Sequence, residues 1–415
     1  MNMKPGIKVL ALFLHNSTWG GRMRGDERRF LEIAKRLIKY GANLYVIEFA
    51  PSLQRFYYHA YVYKSLEFKT NKLLYIMIWL IVLSLKFKDY DIIYAYNQDL
   101  LNILASLIFK LTRRKPLIVV VQSLQDLELP LTSLRQIYKA SALDLIFIYL
   151  HRYLLLPLTL KLANAIFTVS NHLKTQLTMK YPGAGKKIFI TSNGVDLEKF
   201  KPLNLKKEYD AIFLGRVHVL HKGLDKLLLV WKRVVSKNPG AKLALVGGFE
   251  SDRDKELIFR LIDKLNLRSN VTVTGFVEDN EVVQLLNKAK VFISLSVYEG
   301  FGLSILEALA CGLPVIASNL KVFHELHKDL LFYVPNEGYK GLMMLMALLD
   351  KCLALTLHDD LVKSLIEALR SHAQSFTWDS VAHKEFVLMK HLAHSKLNLN
   401  KSKNPKNLRS SHGGA

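Results

Sequence analysis

Residues Tyr298–Asn319 read YEGFGLSILEALACGLPVIASN. An apolar run ends near Ser296, Glu299-Gly300-Phe301-Gly302 turns the chain, and a helix of about nine residues follows until Cys311-Gly312 and Pro314 stop it. A further apolar run, Val315–Ala317, comes directly after. Strand, glycine turn, short helix and strand again is the rhythm of a parallel sheet with crossover helices. The helix start offers the N–H groups of Gly302, Leu303 and Ser304, a natural seat for an anion such as phosphate.

The same alternation extends in both directions. Toward the N-terminus it predicts strands at Lys8–Leu14, Asn43–Glu48, Ile92–Tyr96, Leu117–Gln122, Ala165–Val169 and Ile188–Thr191; beyond them at Asp210–Leu214, Lys242–Val246, Val271–Thr274 and Val291–Leu295. Two halves with one rhythm imply two similar doubly wound domains. In the second half each strand ends on a small or polar residue: Gly215, Gly247-Gly248, Gly275, Ser296 and Ser318. Ligands of open α/β sheets bind at that carboxyl edge, where small residues let backbone N–H groups approach. Arg216 follows Gly215, and Lys222-Gly223 comes six residues later, just before a helix. An Arg fork and a Lys point charge at the mouth of the sheet suit a diphosphate, above all one that departs with its charge. Glu299 from the loop and Glu307 from the helix can face the same ligand. Carboxylates suit hydroxyls rather than phosphate, so their partners are sugar hydroxyls beside it.

Length and composition bound the rest. At 415 residues, half of them hydrophobic, the chain has material for two packed domains. Cys311 and Cys352 are too few for a disulfide framework and lack metal-ligand spacing, which fits a reducing compartment. The net charge is +23, unevenly spread: residues 1–200 hold 28 Lys/Arg against 13 Asp/Glu, and Ser395–Ala415 hold five basic residues and no acid. The excess invites an anionic surface. Nucleic acid is not expected, because clusters such as Arg113-Arg114-Lys115 come without a helix-turn-helix, zinc finger or aromatic RNA platform. Asp89-Tyr90-Asp91 precedes a strand and reads as a turn, and no metal site is expected.

Ile7–Leu14 reads as a first buried strand rather than a signal peptide, since Lys8 interrupts it and no small-residue cleavage site follows. Leu73–Leu85, LLYIMIWLIVLSL, would span about 20 Å as a helix against roughly 30 Å of hydrocarbon. Leu143–Leu162 is similarly apolar but carries Asp144, His151, Arg152, Pro157 and Lys161. Neither is expected to cross a membrane. Burial against a sheet and a place in the membrane interface both remain open for them.

Together these residues resemble glycosyltransferase family 4, the retaining nucleotide-sugar transferases (glycosyl transferases group 1). The likeness runs from Gly20-Gly21 to the helix at Trp378 and is specific chiefly between Asn193 and Asn319. Glu299 and Glu307 match the family's E-x7-E, Gly215-Arg216 and Lys222-Gly223 its G-R…K-G, Asn193–Asp196 its N-G-V-D, and Thr168–Ser170 its T-V-S. The resemblance implies a GT-B fold, two Rossmann-like doubly wound domains facing across a cleft, with a C-terminal helix returning to the first. The acceptor domain is then 1–200 completed by helix 378–394, the donor domain 205–375, the join near Leu197–Tyr209, and 395–415 a basic disordered tail.

By the same resemblance Arg216 and Lys222 hold the donor diphosphate, Glu299 contacts the donor sugar and Glu307 the ribose. Gly20, Gly21, Gly215, Gly247, Gly275, Gly300, Phe301, Gly302 and Leu303 line the donor site. One departure stands out: where family members often carry a histidine after the fourth strand, this chain has Gln122-Ser123, with Asp126 and His151 as conceivable substitutes. Glutamine hydrogen-bonds but carries no charge. The implied activity is that of a hexosyltransferase, with a nucleotide diphosphate-sugar as substrate and no metal or other cofactor. The basic and apolar character of the first domain, rather than the resemblance, leads us to expect a glycan or lipid-linked hydroxyl as acceptor at the cytoplasmic membrane face, with the protein cytoplasmic and peripheral there. An inactive transferase-like subunit that binds a partner or anionic membrane is one rival. A glucan-synthase-like transferase or nucleotide-sugar epimerase of the same fold is another.

Overall fold

The structure, a computed structural model, describes residues 6–14, 25–48, 73–124, 142–335, 338–355 and 359–402. The chain divides into two units: Met1–Val169, Leu173–Thr191 and Asp379–Ala415 form the first, and Ser170–His172 with Ser192–Trp378 the second.

The first unit is built on β1 (Lys8–Phe13), β2 (Asn43–Glu48), β3 (Ile92–Tyr96), β4 (Leu117–Val121), β5 (Ala165–Thr168) and β6 (Ile188–Ile190). They form one parallel sheet in the order β2-β1-β3-β4-β5-β6. The central strands are unbroken apolar runs because helices cover both faces; every residue of β3 and of β4 is buried. The second unit has β7 (Tyr209–Leu214), β8 (Leu243–Val246), β9 (Val271–Gly275), β10 (Ala289–Ser294), β11 (Val315–Ser318) and β12 (Phe332–Val334), in the order β12-β11-β10-β7-β8-β9. Counted from β7 this is the dinucleotide-binding order 3-2-1-4-5-6, with the chain reversing direction across the sheet between β7 and β10. Helix Leu224–Lys237 shows how sequence makes the core here. Leu224, Leu227, Leu228, Trp231 and Val234 recur at helical spacing, all are buried, and Gly223 at φ 61° starts the helix.

Two boundaries move relative to the sequence reading. The second unit begins at Ser192 rather than near Leu197–Tyr209, because Val195 N–H donates to Phe376 O at 2.8 Å and Val195 bridges Thr377. A Cβ on Gly194 would lie 2.4 Å from Trp378 N, so the N-G-V-D segment is a packing element of this crossing. The C-terminal helix runs Trp378–Ser402, past the expected end at His394, since Lys396, Leu397 and their neighbours lack a helix breaker. Residues 403–415 lie outside the described part.

That helix is held in the first unit by a buried charge cluster. Arg29 Nη2 meets Glu385 Oε1 at 2.5 Å with both side chains fully buried. Arg29 also donates to Thr191 Oγ1 (2.9 Å) and Tyr96 OH (3.2 Å), and Tyr94 OH donates to the second Glu385 oxygen (2.6 Å). Burial and the Glu385 charge push the Tyr94 hydroxyl well up, so it stays a donor.

The two apolar segments are both helical and two-faced. In Leu73–Lys86, Ile76, Leu80 and Leu83 are buried toward helix Leu100–Arg113, while Ile78, Ile81, Val82 and Leu85 are exposed. Ala142–Leu150 runs through a π-turn, His151–Leu155, into Leu156–Leu162. Pro157 falls in the first turn after it, where a missing N–H costs little. The stretch is therefore continuous, and Leu145–Leu162 is long and apolar enough to cross a membrane, contrary to the reading of this segment as too interrupted. Its inner side buries Arg152, Leu156, Thr159 and Leu160; Ile146, Tyr149, Leu150, Tyr153, Leu154 and Leu158 are exposed.

Candidate active site

The carboxyl ends of β7 and β10, the reversal point of the second sheet, are drawn together by their loops. Val297 N–H donates to His221 O (2.9 Å), and His221 Nε2–H donates to Tyr298 O (3.0 Å). Gly223 lets the loops close, because a Cβ there would stand 2.4 Å from Leu295 O. Beside this zipper, Lys222 Nζ lies 2.5 Å from Glu299 Oε1, which also accepts from Ser296 Oγ at 2.8 Å. Burial alone would raise the Glu299 carboxyl, but the Lys222 charge and the hydrogen bonds from Lys222 and Ser296 outweigh it and hold it below the usual carboxylate range. Burial, and then the Lys222 charge, push the His221 imidazole down to about 4, so it is neutral at physiological pH. Arg216, on the strand side of the same loop, is about half exposed and bonds Glu250 Oε2 through Nη1 at 2.5 Å.

The glycines divide by cause. A Cβ on Gly247 would meet Gly215 O at 2.0 Å, so backbone packing alone demands glycine there. Gly275, at φ 68°, has open space around its Cβ position and is free to admit a ligand. Gly302, at φ 92°, starts helix Leu303–Ala310 under the Phe323 ring, and Leu303 and Ser304 beside it are partly exposed. The N–H groups of Leu303 and Ser304 belong to the first turn, which no carbonyl of the helix itself can satisfy. Gly300 O accepts from Ser170 Oγ at 3.0 Å. The Phe301 ring is buried against Phe376, so it packs the unit rather than lining a ligand. Glu307 is buried in the helix's second turn, and burial with the Glu307 charge pushes the Cys311 thiol up to about 12. Gly20, Gly21 and Asp126 lie outside the described residues.

The structure thus joins Lys222, Glu299, Ser296 and His221 into one group, with Arg216 next to it. Sequence reasoning misses His221, Tyr298 and Glu250, whose roles are set by contacts 34 to 77 residues apart in the chain. Among the described residues no group of three or more His, Cys, Asp and Glu is arranged to hold a metal ion. A carboxyl-edge site with two cations and a helix N-terminus is equipped to bind an anion of several charges, with a carboxylate to receive neighbouring hydroxyls.

A doubly wound pair of parallel sheets with this site defines a nucleotide-binding α/β class. Residues 23–199 match the family described as Glycosyltransferase Family 4, and residues 195–340 match Glycosyl transferases group 1. The chain belongs to this family. Its relatives include an uncharacterized glycosyltransferase of Methanocaldococcus jannaschii, 30% identical over 39% of this chain and 41% of that protein. An O-antigen chain mannosyltransferase of Salmonella typhimurium is 32% identical over 45% of this chain and 51% of its own length. The matches thus span about half or less of these curated relatives. The crystal structure of an Anabaena protein, HepE, in complex with UDP and glucose superposes with a TM-score of 0.71 at 18% identity, covering 93% of this chain and all of that one, a likeness of fold.

Proposed function

We propose that the protein is a retaining glycosyltransferase that moves a sugar from a nucleoside diphosphate-sugar to a hydroxyl of a glycan or lipid-linked acceptor at the cytoplasmic membrane face. The observation that carries this reading is the partly buried Lys222–Glu299 pair beside Arg216 at the reversal point of the second sheet. In this reading the second unit holds the donor and the first receives the acceptor. Arg216, Lys222 and the N–H groups at Gly302–Ser304 bind the diphosphate; Glu299 and Glu307 accept hydrogen bonds from the sugar and the ribose. The acceptor oxygen bonds to the anomeric carbon, the bond to the diphosphate breaks on the same face, and the leaving phosphate oxygen takes the acceptor proton. Protein cations stabilise the departing charge, and no metal is needed. The resemblance to glucose- and mannose-handling relatives, HepE and the O-antigen enzyme, supports a hexose donor.

The membrane part of the proposal rests on the exposed apolar sides of Leu73–Lys86 and Ala142–Leu162 and the basic excess of the first half. Lys187 Nζ bonds Lys161 O, which sets the Lys187 ammonium near the end of the longer stripe.

The test is thermal unfolding with a panel of nucleotides and nucleotide-sugars in chelator, for wild type and Arg216→Ala. A ligand at 100 times its Kd adds about 2.7 kcal/mol. One nucleotide class should shift wild type and shift the variant less. Silence across the panel would favour the inactive, membrane- or partner-binding subunit. Flotation with phosphatidylglycerol vesicles, lost in Tyr149→Glu/Tyr153→Glu, checks the membrane face.

A further inference from the structure

Between Arg216 and Lys222 the loop after β7 is fastened from two sides. The start of helix Asp252–Lys264 and the turn before it hold one side: Val217 N–H donates to Gly248 O (2.8 Å), Glu250 N–H to Val217 O (3.1 Å) and Val219 N–H to Asp254 Oδ1 (2.9 Å). Asp254 is also part of the helix cap. Its own N–H donates to Ser251 Oγ at 3.1 Å, and that hydroxyl donates to Asp254 Oδ2 at 2.5 Å, so the group that starts the helix also grips the loop. On the other side stands the zipper of His221 with Tyr298 and Val297. His218 lies between the two fastenings. Its N–H donates to Arg216 O and its C=O accepts from Lys222 N–H, both at 2.9 Å, so its backbone spaces the two cations.

The His218 side chain is left incomplete. Its Nδ1 is buried with no hydrogen-bond partner among the described residues, and Asp254 Oδ1 stands 3.7 Å away, just beyond bonding reach. The ring meets the His221 ring edge-on, with centroids 5.6 Å apart. The charged and titratable groups around it are Asp254 and Glu250 on the helix side, Arg216, His221 and Lys222 on its own loop, and Glu299 beyond His221. Arg216 is paired with Glu250 and Lys222 with Glu299. Of the three carboxylates, Asp254 is the one with no Lys or Arg at ion-pair distance among the described residues. His221 does not supply the missing charge, because burial and the Lys222 charge keep it neutral. A neutral imidazole has one N–H and one lone pair, whereas the charged ring donates from both nitrogens and can hold a carboxylate as an ion pair. The His218 side chain is partly exposed, so solvent can deliver the proton.

We infer that the Arg216–Lys222 loop is set for a diphosphate by a proton: His218, charged, closes onto Asp254 and adds a third cation to the loop, so that the donor binds with proton uptake. The inference rests on the transferase reading above and adds the regulation of its donor site by pH. The proton comes from solvent and adds to an imidazole nitrogen. Three cations on one short loop repel one another, and a bound diphosphate offsets that repulsion. Proton and donor therefore favour each other, and by linkage donor affinity rises as pH falls. His218 and Asp254 are positioning residues, acting on the diphosphate through Arg216 and Lys222.

The test is titration calorimetry of the full chain with UDP-glucose and GDP-mannose at pH 6, 7 and 8. Both probes are diphosphate diesters, whose two negative charges stay constant over this range, so any slope belongs to the protein. Affinity for the probe that binds should rise about fivefold from pH 8 to pH 6, what one ion pair about 4 Å apart in water-like surroundings supplies. At pH 7 the binding heats in PIPES and in imidazole buffer, which differ in ionisation enthalpy, should differ in the sense of proton uptake. His218→Gln should bind with one affinity at all three pH values. Asp254→Asn keeps an acceptor for Val219 N–H but removes the charge, and should lose most of the slope; melting without ligand checks that both variants are folded. A flat wild-type profile, equal heats in the two buffers, or a wild-type slope retained in folded His218→Gln overturns the inference and leaves the transferase reading standing. Binding of neither probe at any pH removes both.

Discussion

Replacing Lys222 by Met keeps most of its length and removes its charge. Glu299 is then left as a carboxylate, about one-fifth exposed, with Ser296 Oγ as its remaining side-chain partner in the group. Removing one member of a fully buried pair costs roughly 3–5 kcal/mol. The residual water contact and the Ser296 bond reduce this, so we expect on the order of 2–3 kcal/mol at pH 7. The sign with pH follows from the carboxyl. In wild type Glu299 is held below its ordinary range, so the pair's contribution is complete above that range and is lost as pH falls through the depressed value. In Lys222→Met burial acts without the cation, the carboxyl rises, and acid neutralises it. The deficit of the variant relative to wild type should therefore shrink between pH 7 and about pH 4. Urea denaturation of wild type, Lys222→Met, Glu299→Gln and the double variant at both pH values measures this. The double variant should recover part of the loss. Strictly additive single effects and a pH-independent deficit would refute the pair as the organiser of the site.

Gly247→Ala forces a Cβ to 2.0 Å from Gly215 O and should cost more than about 3 kcal/mol in denaturation, whereas Gly275→Ala, strained but unobstructed, should cost about 1–2 kcal/mol. Glu385→Ala strands the buried Arg29 and should lower stability by roughly 3–5 kcal/mol, while Arg29→Met/Glu385→Leu should restore most of it. His221 and His327 are pushed down by burial to about 4 and about 3, so both resist protonation in the fold but not when unfolded. Stability they leave intact above about pH 6.5 should fall steadily toward pH 4, by on the order of 3 kcal/mol for His221, and His221→Gln should flatten that slope in denaturation curves. Glu250→Gln keeps an acceptor for Arg216 but removes a negative charge from the anion site. Each charge pair about 6 Å apart in water-like surroundings is worth about 0.7 kcal/mol, so calorimetry should show nucleoside diphosphate affinity rising several-fold.

The fold was legible because parallel strands buried on both faces must be apolar throughout, and such runs are visible without any partner. The strands expected from the sequence are present within two residues of their expected ends. β12, Phe332–Val334, was not expected from the sequence; it is a three-residue, partly buried strand at the edge of the second sheet. The apolar helices were half legible: composition cannot tell a buried flank from an exposed one when both are Ile, Leu and Tyr, and only the sheet beneath decides which side faces out. Continuity through Pro157 was hidden as well, because a π-turn has no composition of its own.

In the site, the residues visible in sequence are those whose type is dictated locally. Gly302 is required at φ 92°, and Arg216 and Lys222 are charges left at a strand mouth. What sequence could not show is that each cation already has a carboxylate, Glu250 for Arg216 and Glu299 for Lys222. Those pairings do not exhaust either group. An ammonium has three donors and a guanidinium five, so one bond to a carboxylate leaves others for phosphate oxygens and fixes the direction in which they point. Lys222 is the more strongly held, being largely buried and tied through Glu299 to Ser296, whereas Arg216 is about half exposed. In the proposed reaction the two cations therefore suit different work: Lys222 a charge set in advance, which costs no reorganisation as a diphosphate becomes more negative, and Arg216 a contact that adapts as the leaving group moves. The order of the site is concentrated in the Lys222–Glu299 pair and its Ser296 bond, and that is why the first perturbation to make is at Lys222.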